Sequence, residues 1–206
     1  FEEARIENET LRRELAFKSA VPQYQLLAAE VVGHDSSDLM HYILIDRGSQ
    51  DGVARGMPVL TAEGLVGRIR EVSRNASKVM LITDSSSSVA ALIQRTRGTG
   101  MVQGKLGNQL IMEYITPDDP VLPGDVVLTS GLGGNFPKRL VIGQVVSVAH
   151  TDVDMFQQAV VEPAVNLRDL ETVQGGIIIG GELAQRLGIG MGDIVAATSA
   201  SRSRSM

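Results

Sequence analysis

Between residues 25 and 161 the chain is a succession of short apolar runs, each bounded by a turn composition, and this pattern constrains the fold more than any other feature. The runs are residues 26–32, 42–45, 65–72, 79–82, 89–93, 110–115, 126–128, 141–148 and 159–161. Between them stand Gly48-Ser49-Gln50-Asp51-Gly52, residues 84–88, Arg97-Gly98-Thr99-Gly100, Pro117-Asp118-Asp119-Pro120 and Gly131-Leu132-Gly133-Gly134. Glycine, aspartate and proline supply the backbone angles that a tight reversal needs. The 23 Val and 14 Ile beside 22 Gly favour strands over helices. A parallel sheet would need helical crossovers of a dozen or more residues, and no such runs separate the strands. The pattern therefore predicts a mainly β chain built of small antiparallel barrels.

Composition narrows the function. A net charge of −5 offers no broad positive field to displace counterions from a phosphate backbone, and seven aromatic residues in 206 are too few for a base-stacking platform, so nucleic acid is not an expected partner. With no cysteine, thiol nucleophiles, disulfides and Cys-ligated metals are excluded. No run approaches the roughly 18 apolar residues of a membrane span. The chain opens at Phe1 inside a helical pattern, which predicts further residues upstream.

That opening segment follows a different rule. Phe1, Ala4, Asn8, Leu11 and Leu15 recur at alternating spacings of 3 and 4, the a/d seam of a heptad repeat, among Glu and Arg at the other positions. Asn8 at an a position favours an in-register parallel pair, because its amide can bond its twin, and Glu7 and Arg12 stand where g and e side chains pair across two helices. Pro22 cannot continue the rod, so residues 1–20 are expected to form a coiled-coil helix and a homodimer. A single amphipathic helix packed on its own domain is the competing reading.

Several segments occur together in a recognisable order: Arg47-Gly48-Ser49-Gln50-Asp51-Gly52-Val53, Gly56-Met57-Pro58-Val59, Gly64-Leu65-Val66-Gly67, Val79-Met80-Leu81-Ile82-Thr83-Asp84, and the stretch from Pro123-Gly124-Asp125 through Ser130-Gly131-Leu132-Gly133-Gly134-Asn135-Phe136-Pro137. In these the chain resembles the MreC family of rod-shape-determining proteins, over residues 1–173. The resemblance implies an extracytoplasmic protein anchored to the bacterial inner membrane by an N-terminal helix absent from this chain. It further implies a non-enzymatic scaffold of cell-wall elongation, without cofactor, that self-associates into dimers or filaments. Such a scaffold binds and activates the class B penicillin-binding transpeptidase, in one complex with MreD, RodZ, RodA and the actin-like MreB.

The expected layout is a coiled-coil helix at 1–20, a first barrel from 21–90 completed by a return strand within 156–173, a second barrel inserted at 91–155, and an unmatched segment with a flexible tail at 174–206. Within 174–206, Gly175-Gly176-Ile177-Ile178-Ile179-Gly180 reads as a strand. The family usually carries glycine where Arg139 stands, so a left-handed turn there would be strained by roughly 1–2 kcal/mol. One barrel edge, or the loops around Arg47, Gly48, Ser49, Asp51 and Gly52 and around Gly124, Asp125, Ser130, Gly131, Gly133, Gly134, Phe136 and Pro137, are the candidate interaction sites.

Catalytic readings are weaker. His34, His41 and His150 lack metal-ligand spacing, and the neighbouring Asp118 and Asp119 in a Pro-bracketed loop diverge rather than oppose across a substrate. Residues 85–88 and Ser130 supply hydroxyls without a nucleophile signature, and Gly131-Leu132-Gly133-Gly134 lacks the Lys-Ser/Thr of a phosphate loop. Met101 and Met112 are expected to fill the core. The alternative functions are a periplasmic adaptor of an efflux or secretion system, which needs a helical hairpin, and a peptidoglycan hydrolase, which needs a catalytic constellation.

Overall fold

The computed structural model describes residues 26–34, 41–105, 109–149, 156–167, 170 and 177–180. The heptad segment, with Ala4, Glu7, Asn8, Leu11, Arg12 and Leu15, lies outside the described residues. Among the described residues the elements are strands, together with one 3₁₀ turn at Ser49–Asp51.

The first unit contains β1 (Leu26–Ala29), β2 (Val31–His34), β3 (Tyr42–Ile45), β4 (Pro58–Leu60), β5 (Leu65–Val72) and β6 (Ser77–Leu81). The second contains β7 (Ser88–Ile93), β8 (Thr99–Lys105), β9 (Gln109–Ile115), β10 (Val126–Thr129), β11 (Val141–Ala149) and β12 (Gln157–Pro163), and β13 (Ile177–Gly180) returns to the first. Every pairing is antiparallel.

Strands β7 to β12 form a closed barrel in the order β10-β11-β12-β9-β8-β7. Closure leaves this ring without an open edge, so strand addition has no edge to use on this unit. The other strands form a seven-stranded sheet ordered β1-β13-β4-β5-β6-β3-β2, where the first barrel was expected. Its two outer strands are the halves of one apolar run, broken at Glu30. The Glu30 N–H donates to Asp46 Oδ1 at 2.7 Å and the Glu30 carbonyl accepts from the Asp46 N–H at 3.0 Å, which pins the break.

The domain reading needs two corrections. The return strand assigned to the first unit is β12, and it pairs with β11 and β9 inside the barrel. Gln157, Ala159 and Val161 are its buried positions, and without it β9 and β11 would each keep one partner and the ring would stay open. The strand that does return is β13, between β1 and β4, from the segment left outside the family resemblance. The barrel also starts at β7, before residue 91.

Alternation in β7, β8 and β12 and continuous burial in β4 and most of β10 fill the interior. Ile43, Ile45, Val59, Leu65, Ile69 and Val79 are buried in the first unit, and Val89, Ile93, Leu110, Met112, Ile142 and Val161 in the second. Each such side chain contributes roughly 1.5–3 kcal/mol by leaving water. The two sets merge into one contiguous cluster, so the units share a core. Two glycines permit the junction. A Cβ on Gly64 would stand 2.6 Å from the Val141 carbonyl oxygen, and one on Gly104 would stand 2.3 Å from the carbonyl oxygens of both Thr83 and Asp84. Asp84 is buried there; burial pushes its pKa up, but hydrogen bonds from Ser86 and the His41 N–H outweigh that and hold the carboxyl below its usual range.

Candidate docking surface

The motif loops divide by what their polar groups do. In the first, Gly48 N–H donates to Asp51 Oδ2 at 2.9 Å, Ser49 N–H donates to the Ser73 carbonyl at 2.9 Å, and Gly52 adopts φ 84° to end the 3₁₀ turn. Arg47 pairs with Asp46 at 2.6 Å, and its carbonyl accepts from Ser77 Oγ at 2.7 Å. This loop holds the β5–β6 reversal, and those polar groups face its own neighbours.

Gly124 turns at φ 91° ahead of β10. Asp125 Oδ1 accepts from Arg95 Nε at 2.7 Å, Oδ2 accepts from Arg95 at 2.8 Å and from the Leu122 N–H at 2.9 Å. The two-pronged bond from Arg95 holds the Asp125 carboxyl below the usual carboxylate range, against an opposing push from burial. The device ties the end of β7 to the loop entering β10.

The 130–137 loop is built differently. At its base Thr129, fully buried, donates its hydroxyl to the Pro137 carbonyl and accepts from the Leu140 N–H at 2.9 Å. Ser130 Oγ accepts from the Leu132 N–H at 3.2 Å, Gly131, Gly133 and Gly134 lie in the left-handed region, and Phe136 turns back into the core. Arg139 follows at φ 68°, the left-handed geometry in question at that position. The result projects Leu132 outward, 63% exposed.

Opposite Leu132 stands Tyr114, 58% exposed, which the sequence reading did not single out. In β9 Leu110 and Met112 are buried, so simple alternation would bury Tyr114 too, but Ile115 is the next buried residue. Register on β12 slips between Gln157, opposite Ile115, and Ala159, opposite Met112, leaving Glu113 and Tyr114 to share one step. Tyr114 adopts φ 62° at this bulge and faces out. Its ring meets Phe156, itself 41% exposed, edge-to-face with centroids 5.9 Å apart. Beside the pair, buried Gln157 donates Nε2 to the carbonyls of Thr116, Pro117 and Asp119 at 2.8–3.2 Å, fixing the neighbouring loop. No sequence signal marks this pair beyond the scarcity of aromatic residues.

Tyr114 and Leu132 flank a groove of about 450 Å³ on the outer barrel wall, lined also by Ser88, Thr99, Met101 and Asn135. Met101 is therefore half-buried in the groove wall rather than in the core, because Val102 takes the inward position of β8; Met112 lies in the core. Among the described residues no group of three or more His, Asp or Glu is placed to hold a metal. Asp119 accepts from Thr116 Oγ1 within its own turn. His41 Nδ1 contacts Thr83 and His150 lies outside the described residues. The exposed features are apolar and aromatic, which suits docking.

A family model described as "Rod shape-determining protein MreC, barrel core" matches residues 31–174. The chain belongs to the MreC family. The MreC of Geobacillus stearothermophilus, a cell shape-determining protein, is 33% identical over 179 residues, covering 81% of this chain and 62% of that protein, so the chain spans under two thirds of this relative. The crystal structure of MreC from Pseudomonas aeruginosa matches at a TM-score of 0.70 and 28% identity, over 75% of this chain and 98% of that one. A complex between penicillin-binding protein PBP2 and MreC from Helicobacter pylori shares the fold at a TM-score of 0.62 and 16% identity, over 77% of this chain and 99% of that one. Cell-shape determination is the role given to these relatives, and none of the matches supports the efflux-adaptor reading.

Proposed function

We propose that this chain is the extracytoplasmic part of a non-enzymatic MreC scaffold and that it docks the elongation transpeptidase through the Tyr114–Phe156–Leu132 face of its barrel. The observation that carries this is an aromatic pair held outside the barrel on a strained backbone, in a position where ordinary strand alternation would bury the tyrosine. Exposed aromatics beside aliphatic side chains are the usual anchors of protein interfaces. The Helicobacter pylori complex supports the choice of partner class. In this reading residues 1–20 pair two copies through Ala4, Asn8, Leu11 and Leu15, and an N-terminal helix tethers them to the inner membrane alongside MreD, RodZ, RodA and MreB.

The test is titration of a purified class B transpeptidase domain against the chain. Saturable association is expected, weakened at least about thirtyfold by Tyr114→Ser combined with Leu132→Ser, since each anchor contributes on the order of 1–2 kcal/mol. Because the face is apolar, association should persist at high salt. Unchanged affinity in the double variant contradicts the assignment.

A further inference from the structure

We infer that the groove beside Tyr114 is a binding site for an uncharged carbohydrate chain bearing N-acetyl groups. The groove, about 450 Å³, lies open along the barrel wall, a shape that admits an extended chain laid across it. The residues lining it are Ser88, Ala90, Thr99, Gly100, Met101, Tyr114, Gly131, Leu132, Gly133, Asn135 and Phe136, none of which is ionisable near neutral pH. Lys138 lays its methylene stem against Gly131, but the lining itself carries no ionised group, so a neutral ligand matches the wall. Mixed chemistry narrows the ligand further. Tyr114 offers an exposed aromatic ring, and the C–H face of a pyranose is an apolar plate that such a ring covers. Ser88 and Thr99 bring hydroxyls and Asn135 brings a carboxamide, groups able to exchange hydrogen bonds with sugar hydroxyls and with an acetamide. Leu132 and Met101 supply apolar surface for the acetamide methyl. A purely apolar peptide would leave the polar members of the lining desolvated and unmatched.

This inference shares Tyr114 and Leu132 with the proposed docking face but does not need the transpeptidase. The experiment titrates the whole 206-residue chain alone, so absence of sugar binding leaves the docking reading intact, and loss of docking leaves sugar binding measurable. The probe is a tetramer of N-acetylglucosamine, followed by backbone amide NMR shifts, with maltotetraose as the arm that lacks acetamides. Saturable shifts are expected at Ser88, Thr99, Leu132 and Asn135, with maltotetraose weaker. Tyr114→Ala should weaken the acetylated probe about tenfold. Asn135→Ala, at an exposed loop position, should erase the preference for the acetylated chain. Absence of shifts at these residues, equal binding of the two sugars, or concentration-dependent shifts of the same residues without sugar, which would assign the groove to a second copy, overturns the inference.

Discussion

A left-handed backbone costs a residue with a Cβ roughly 1–2 kcal/mol, and among the described residues three side chains bear it, Arg97, Tyr114 and Arg139, at φ 66°, 62° and 68°. At Arg139 relief is available. Arg139→Gly removes the strain at a cost of roughly 0.5–1 kcal/mol in chain entropy, so chemical denaturation should show the variant about 0.5–1 kcal/mol more stable. A less stable variant would mean that the arginine side chain outweighs its own backbone strain. Tyr114 carries the same strain for a different return: it turns a ring outward that alternation would bury. Arg139 was legible as a point of strain because its position in the motif usually holds glycine. Tyr114 was not, since a bulge is set by the register of two strands distant in sequence and leaves no mark on either alone. The same limit misplaced Met101, whose orientation is fixed by which face of β8 the barrel encloses.

Among the elements, the turns were legible and their partners were not. The Gly124-Asp125 turn announces a strand start, yet nothing in the residues indicates that Arg95, thirty positions earlier, grips the carboxylate from the end of β7. Because Arg95 lowers the Asp125 pKa in the fold, the stabilisation is fully present above the unfolded value of about 4 and is lost as pH falls through the folded value. Asp125→Asn should therefore lower the denaturation midpoint near neutral pH, with the gap to the parent closing as pH drops below about 4. A gap constant with pH would remove the ion pair from the account. Asp84 works in the same direction at the junction. There, Gly104→Val would force a side chain against the Thr83 and Asp84 carbonyls, and a loss of about 3 kcal/mol is expected in denaturant unfolding. A neutral outcome would show that the two units tolerate separation at this contact.

At the scale of the whole molecule, a barrel inserted into a sheet follows from where the chain returns. Serial antiparallel strands were legible from the apolar runs, whereas the expectation of two units came with the family resemblance. Which late strand belongs to which unit was not, because β12 and β13 are both short apolar segments and only ring closure around β9 and β11 decides between them. Closure also removes the barrel's edges and leaves its outer wall as the surface for docking, which concentrates the account on one face. Hydrogen–deuterium exchange on the complex with a class B transpeptidase domain tests that face directly. The account predicts new protection at residues 111–115, 130–136 and 156–158, with β2 and β3 unchanged. Protection confined to β2 and β3, with the Tyr114 bulge exchanging as in the free chain, would contradict it.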